Sequence, residues 1–138
     1  MNVIVGNLNN SKFLNLDVDK RYKIIKTKTK EAGKNFVKIM KVFNSLFYNI
    51  NGFMPNQIFL ESVLVSCPNE LFKGDDLYSS FIKIVNYISV KTTKFFKSIN
   101  DEKKYLYEDK TCGDSALGFN KLLNYLYVND NEMKKNNN

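Results

Sequence analysis

Hydrophobic side chains recur at helical spacing along residues 34–50, and residues that bound helices lie at both ends of this segment. Gly33 precedes it, and Asn51 and Gly52 follow it in a pattern typical of a left-handed helix cap. The apolar positions fall on one side of the predicted helix. They are Phe36, Ile39, Met40, Phe43, Leu46, Phe47 and Ile50. The pattern predicts an amphipathic helix that packs one face on a core.

The next segment, residues 56–66, is apolar on nearly every side and lies between Pro55 and Pro68. Proline is accepted in the first turn of a helix but cannot continue one, so the two prolines predict where this helix begins and ends. Such a helix belongs at the centre of a core. Its exception is Glu61, because an isolated buried carboxylate is costly. Glu61 therefore requires a lysine or arginine of a neighbouring helix, or a backbone amide; alternatively it positions a basic side chain that contacts phosphate.

Two more amphipathic helices are predicted in the second half of the chain. Asp75 or Asp76 caps the first, which should end near Val90 because Thr92 and Thr93 are poor helix-interior residues. Its apolar stripe consists of Leu77, Phe81, Ile84, Ile88 and Phe95. The last helix is capped by Gly113, Asp114 and Ser115 and closes the core with Phe119, Leu122, Leu123 and Leu126.

The pattern near the N-terminus is less regular. Asp17 and Asp19 can cap a short helix that starts near Lys20, whereas the residues before them are rich in turn-forming Asn and Ser. The charged segment 100–110 is expected on the surface. We therefore predict an all-α fold, a single compact bundle of four to five helices. Its predicted parts are an N-terminal arm or linker (1–19), a helical domain (20–128) and a disordered polar tail (129–138).

A formal net charge of +7 favours an anionic partner such as nucleic acid, a nucleotide or an acidic protein face. The charge is concentrated in Lys20, Arg21, Lys23, Lys26, Lys28, Lys30, Lys34, Lys38 and Lys41. Lys34, Lys38, Lys41 and Ser45 recur at steps of four, three and four, which places them on one side of the helix, opposite its apolar face. A solvated face with lysines chosen for solubility is the alternative.

The composition argues against several kinds of chemistry. The chain has no histidine, the commonest general base and metal ligand, and it has no glycine-rich phosphate loop. Its two cysteines, Cys67 and Cys112, are far apart, and the sequence shows no signal peptide and no apolar run that could span a bilayer. We expect free thiols, a cytoplasmic location, no membrane partner, and neither metal nor cofactor for the chain on its own.

From Tyr22 to Ile88, about half of the chain, the order of predicted elements resembles that of a known family. A basic helix is followed by a helix with a central Glu61, then by SCPNELFKGD at residues 66–75, then by an amphipathic helix ending in NYI at residues 86–88. This order is similar to the C-terminal helical domain of oligoadenylate-synthase and CCA-adding nucleotidyltransferases, including bacterial cyclic-oligonucleotide synthases.

In that family the helical domain packs against a catalytic palm, and a lysine on one helix and a serine at the start of the next grip the triphosphate. Aligning Glu61 with the family's glutamate places Asn44 and Gln57 at these two positions, and Lys41 where the family usually has arginine. The resemblance therefore implies phosphate or nucleotide contacts from Lys34, Lys38, Lys41 and Gln57.

A chain of 138 residues is too short for a palm and a helical domain together. The resemblance thus implies a lobe that is not catalytic alone, with a separate catalytic subunit or a lost palm as its complement. Magnesium and an ATP-type nucleotide would be needed only with that palm. Two alternatives stay open: a small basic helical module that binds RNA or DNA backbone non-specifically, and a protein-interaction domain.

Asp17 and Asp19, preceded by Gly6 and Asn7, weakly match the paired carboxylates with which a palm holds two magnesium ions. In a palm the paired carboxylates alternate along a buried strand, whereas the residues after Asp19 begin with Lys20 and Arg21. We interpret the two aspartates as helix caps.

Overall fold

The computed structural model describes residues 5–74, 76–91, 96–99, 105–108 and 112–137, with side chains described between residues 19 and 127 of these ranges except at residue 108. They form five α-helices: α1 (Val5–Ala32), α2 (Asn35–Asn51), α3 (Gln57–Val65), α4 (Leu77–Ser89) and α5 (Gly113–Asn137). Short 3-10 helices lie at Asn69–Phe72 and Leu106–Glu108, and an isolated antiparallel bridge pairs Lys97 with Tyr105. The predicted compact all-α bundle is confirmed.

Helix α2 lies at the centre of the bundle and packs against α1, α3, α4 and α5. Four residues of its predicted apolar face are buried and the other three are half-buried, and phenylalanine rings make the contacts to neighbouring elements. The Phe43 ring centroid lies 4.9 Å from that of Phe81 on α4 and 5.8 Å from that of Phe119 on α5. Phe59 of α3 meets Phe119 at 5.6 Å in an edge-to-face contact. The core is therefore a continuous aromatic cluster around α2.

Glycines end α1 and α2, as the sequence predicts. Gly33 has φ of +89° and Gly52 has φ of +79°, a conformation that glycine adopts without steric cost. The Gly52 N–H donates to the Tyr48 carbonyl at 2.8 Å, and the Gly33 N–H donates to the Thr29 carbonyl at 3.0 Å. Both caps satisfy carbonyl groups that the helix end would leave unpaired.

Helix α3 begins after Pro55 and ends before Pro68, in agreement with the proline pattern. The Asn56 side chain accepts from the Phe59 N–H at 3.2 Å and caps the helix. The Asn56 N–H in turn donates to the Ser115 hydroxyl at 2.7 Å. Ser115, expected to cap α5, thus ties the start of α5 to the start of α3.

The predicted cap and end of α4 are also found. The Asp76 carboxylate accepts from the Tyr78 N–H at 3.2 Å and from the Ser79 hydroxyl at 2.9 Å, and Val90 is the C-terminal cap. These hydrogen bonds hold the pKa of Asp76 below its usual value. Asp75 and Phe95, the other predicted members of this element, lie outside the described residues.

Helix α1 begins at Val5 rather than near Lys20, so Asp17 and Asp19 lie within the helix and do not cap it. Once a helix is nucleated, each added residue gains a hydrogen bond, and residues 5–19 contain no proline to stop it. Similarly, α5 continues to Asn137, across residues predicted to be a disordered tail. The domain boundaries near residues 20 and 128 stay predictions.

The expected surface position of segment 100–110 is wrong for the part that the structure describes. Leu106 is fully buried, and its N–H donates to the Phe96 carbonyl at 2.8 Å. The Tyr107 ring lies 5.4 Å from that of Phe59. The many charged residues of this segment obscured a short apolar pair that inserts into the core.

Helices α2 and α5 touch at Gly118. A β-carbon there would lie 2.5 Å from Phe47 Cζ and 3.0 Å from Asn51 Cγ. The Asn51 side-chain amide donates to the Phe47 and Gly118 carbonyls, both at 3.1 Å. Because Gly118 has no side chain, the two helix backbones can approach closely enough for this shared hydrogen bonding.

We expect Gly118→Ala to lower the free energy of unfolding by about 1–2 kcal/mol, because overpacking against the buried Phe47 ring outweighs the gain in helix propensity of about 1 kcal/mol. Urea unfolding followed by circular dichroism measures this difference. Gly113→Ala is the matched control, since a β-carbon there meets nothing within 4 Å. Equal stability of the two variants would contradict the close-contact interpretation.

Candidate functional site

The basic residues of α1 divide between two faces of the helix. Lys23, Lys26 and Lys30 are exposed, whereas Arg21 and Lys28 face α3. Arg21 and Lys28 are seven residues apart, two helical turns, and therefore lie on the same side of α1. The basic run thus contains two cations that serve the fold.

Arg21 is the partner that the buried Glu61 requires. Arg21 Nε donates to Glu61 Oε1 at 2.6 Å and Nη2 donates to Oε2 at 2.8 Å, a bidentate pair between α1 and α3. The Glu61 residue is only 9% exposed, and the Arg21 side chain is 33% exposed. The hydrogen bonds to Glu61 raise the pKa of Arg21 further above its ordinary value. Glu61 is satisfied by a structural ion pair.

Lys28 makes the second polar contact between α1 and the end of α3. Its ammonium donates to the Cys67 carbonyl, two residues beyond Val65, and lies 5.2 Å from the centroid of the Phe72 ring. A cation is favourable at this end of a helix, where carbonyl groups are unpaired. Desolvation lowers the pKa of Lys28. Since Arg21 meets Glu61 and Lys28 meets Cys67, α1 and α3 run in the same direction where they touch.

The sequence contains a signal for these inward cations. Arg21, Ile25, Lys28 and Ala32 follow one another at steps of four, three and four, the spacing of a buried helix face. Ala32 is buried and Ile25 packs against the core. Charge alone places the two cations in the basic run, whereas the stripe that they share with apolar residues indicates that they face inward.

A groove of about 450 Å³ lies between α1 and the end of α3. It is lined by Lys23, Ile24, Thr27, Lys28, Glu31, Val65 and Asn69. The Asn69 amide donates to Glu31 Oε2 at 3.1 Å, which fixes a carboxylate in the groove. A carboxylate opposes the binding of an anion, so the groove does not extend the lysine site.

The structure brings Lys34, Lys38 and Lys41 together on the solvent side of α2, and all three are exposed. With a rise of 1.5 Å per residue, they are spaced by about 6 Å and about 4.5 Å along the helix axis. Within the described residues, no carboxylate oxygen lies within 4.0 Å of these three ammonium groups. No described carboxylate therefore neutralises this lysine stripe.

Gln57, the fourth predicted contact residue, lies at the start of α3 and beside the lysine stripe. Its side-chain amide donates to Asn44 Oδ1 at 3.1 Å and to the Pro55 carbonyl at 3.2 Å. Asn44 is three residues after Lys41 on α2, so the two side chains are neighbours on the helix surface. The structure therefore places Asn44 and Gln57, the two positions equated with the triphosphate grip, in direct contact.

The backbone around Asp17 and Asp19 is helical, so the alternating strand geometry of paired palm carboxylates is not formed there. Within the described residues, no group of three or more Cys, Asp or Glu could hold a metal ion. None of the helices traced in those residues combines the length and apolarity needed to cross a bilayer.

Both cysteines are buried, and neither forms a disulfide. The Cys67 thiol donates to the Val63 carbonyl at 3.4 Å, and burial raises its pKa to about 12. A thiol in this state is a poor nucleophile, because the reactive form is the thiolate. Cys67 is a packing residue.

Searches of protein-family models, curated proteins and solved structures returned no match to this chain. The class of protein is therefore defined by its own fold and surface: a small helical bundle whose central helix carries an exposed lysine stripe.

We expect Glu61→Ala to lower the free energy of unfolding by about 2 kcal/mol, because it removes two charge-assisted hydrogen bonds and leaves Arg21 partly desolvated and unpaired. Arg21→Lys should cost less, about 1 kcal/mol, since it keeps the charge but loses the bidentate geometry. Asp19→Ala, an exposed carboxylate on the same helix, is the control and should stay within about 0.5 kcal/mol. An unchanged melting midpoint for Glu61→Ala would refute the buried pair.

Stability should fall as pH rises above about 9. Burial raises the pKa of Cys67 from 9.0 to about 12 and that of Tyr107 from 10.0 to about 12, so the folded state keeps protons that the unfolded chain releases. Each such proton lowers the unfolding free energy by up to about 1.4 kcal/mol per pH unit. The lowered pKa of Lys28 acts in the opposite direction as pH approaches 10.5.

Urea unfolding at intervals between pH 8 and 11 measures this slope. Cys67→Ala should give a shallower decline than the wild-type protein, whatever its stability at pH 8. Parallel slopes for the two proteins would exclude Cys67 as a source of the alkaline sensitivity.

Proposed function

We propose that this protein is a helical module that binds the phosphate backbone of nucleic acid through the lysine stripe of α2: Lys34, Lys38 and Lys41. The observation that carries the proposal is the exposure of three ammonium groups on one side of one helix, without a described carboxylate within ion-pair distance. Contacts of this kind are made to phosphates and are blind to base sequence.

The wider charge distribution supports the same function. The formal net charge is +7, and the exposed Lys23, Lys26 and Lys30 of α1 precede the stripe in the chain, across the turn at Gly33. Positive potential summed over such a surface accelerates the association of a polyanion and weakens with salt. Arg21 and Lys28 are excluded from this surface, because they are committed to α3.

A nucleotidyltransferase-like lobe is the second candidate function. The contact between Asn44 and Gln57 supports it, because the resemblance aligns these residues with the two positions that grip a triphosphate, although the family has a lysine and a serine there. In this case the stripe would contribute nucleotide contacts beside a separate catalytic subunit, which would supply the magnesium site. Gln57 would join them only by exchanging a hydrogen bond to Asn44 or Pro55 for one to the nucleotide, because both N–H groups of its amide are already donated. Two cysteines that form no disulfide fit a reducing compartment, and we place either function in the cytoplasm.

Replacing Lys34, Lys38 and Lys41 together by alanine should weaken binding to a labelled single-stranded oligonucleotide at least tenfold at 50 mM salt. Three lost phosphate contacts should also reduce the slope of log K against log salt by about 2. Fluorescence anisotropy at several salt concentrations measures both quantities. The charge-matched control replaces Lys73, Lys83 and Lys121, exposed lysines on other elements, by alanine.

Equal losses in the stripe and control variants would show a general charge effect and overturn the assignment of the site. Saturable binding of ATP with magnesium, lost in Gln57→Ala but independent of oligonucleotide, would instead favour the nucleotidyltransferase-like lobe. Retained binding in the stripe variant would exclude the stripe altogether.

A further inference from the structure

The exposed stripe of α2 does not end with its lysines. From Lys41 it continues through Ser45 to Tyr48, at further steps of four and three residues. All of these positions are exposed, and Tyr48 is 52% exposed although it adjoins the fully buried Phe47. The solvent side of α2 is therefore a row of cations that terminates in an aromatic ring.

We propose that Tyr48 is a base-stacking platform that makes the lysine stripe prefer single-stranded nucleic acid over duplex. This inference rests on the proposed function and adds a specificity-determining residue to it. Tyr48 lies seven residues beyond Lys41, about 10 Å along the helix axis. A strand whose phosphates follow the lysines would place one of its bases at the ring.

The physical reason for strand preference is the availability of base faces. In a single strand a base can leave its neighbours and stack on an aromatic side chain, whereas in a duplex both faces are occupied by adjacent base pairs. Stacking on one ring changes affinity about 5- to 100-fold for a single strand, and it tolerates any base because each has a π face. A lysine stripe alone would recognise backbone charge in both forms.

Five other tyrosines are exposed in the described residues, and two of them show how their surroundings differ from those of Tyr48. Tyr22 on α1 has the Lys26 ammonium 5.8 Å from its ring centroid. Tyr78, 56% exposed, lies in the first turn of α4 beside the Asp76 carboxylate, which repels phosphate. Tyr78 therefore matches Tyr48 in residue type and exposure but lies off the stripe, and it serves as the control.

The test measures binding of the full chain to a fluorescein-labelled single-stranded 15-mer and to the duplex of the same length by anisotropy. Tyr48→Ala should weaken single-strand binding about 5- to 100-fold and duplex binding less than twofold. Tyr48→Phe, which keeps the ring, and Tyr78→Ala should both bind as the wild-type protein does. Circular dichroism establishes that each variant is folded.

The possible results distinguish a failure of the stacking role from a failure of the proposed backbone binding. If the wild-type chain binds neither probe, the proposed function fails and the stacking role fails with it. If the wild-type chain binds but Tyr48→Ala binds the single strand equally well, or loses both probes in the same proportion, the stacking role is overturned and backbone binding stands. If Tyr48→Ala does not fold, Tyr48→Leu replaces it, because leucine keeps the apolar bulk but has no ring. Wild-type affinity of Tyr48→Leu for the single strand would also overturn the stacking role.

Discussion

The ion pair between Arg21 and Glu61 is the interaction on which the arrangement of this bundle depends. Helix α3 is apolar around almost its whole circumference and is buried, so its single carboxylate must meet a cation inside the protein. The cation comes from α1, and Lys28 adds a contact to the Cys67 carbonyl two turns further along. Together the two contacts fix both the direction and the rotation of α1 on α3.

That rotation determines which of the basic residues reach solvent. Arg21 and Lys28 are held against α3, and their helix partners Lys23, Lys26 and Lys30 are consequently turned outward. Helix α2 also exposes its lysines, but for a different reason: they lie on the side of the helix opposite its apolar face. The protein thus uses its positive charge for two purposes: to pair a carboxylate within the fold, and to create an exposed cationic surface.

The lysine stripe lies on the central helix of the bundle. Helix α2 contacts four other helices, and its buried Phe43 and Phe47 pack against rings of α4 and α5 and against the Gly118 backbone. A row of side chains on such a support keeps its spacing when a ligand binds, so less ordering entropy is lost in its backbone. The packing of one side of α2 therefore maintains the spacing of the lysines on the side that is proposed to bind.

Local chemistry in the sequence determined the fold class and the positions of α2, α3 and α4. Their hydrophobic periods, the glycines at 33 and 52, the prolines around α3 and the Asp76 cap act within a few residues, and the structure has each helix end where these signals place it. The exposed stripe of Lys34, Lys38 and Lys41 followed from the same periodicity. The need of Glu61 for a partner followed from its apolar neighbours.

Only the tertiary structure decided which cation meets Glu61, since Arg21 is forty residues away and the sequence offers many basic residues nearby. It also decided that Lys28 meets the Cys67 carbonyl and that Leu106 joins the core from a charged segment. These outcomes depend on which surfaces lose water when distant helices pack, and desolvation is a property of the assembled bundle that no local period encodes.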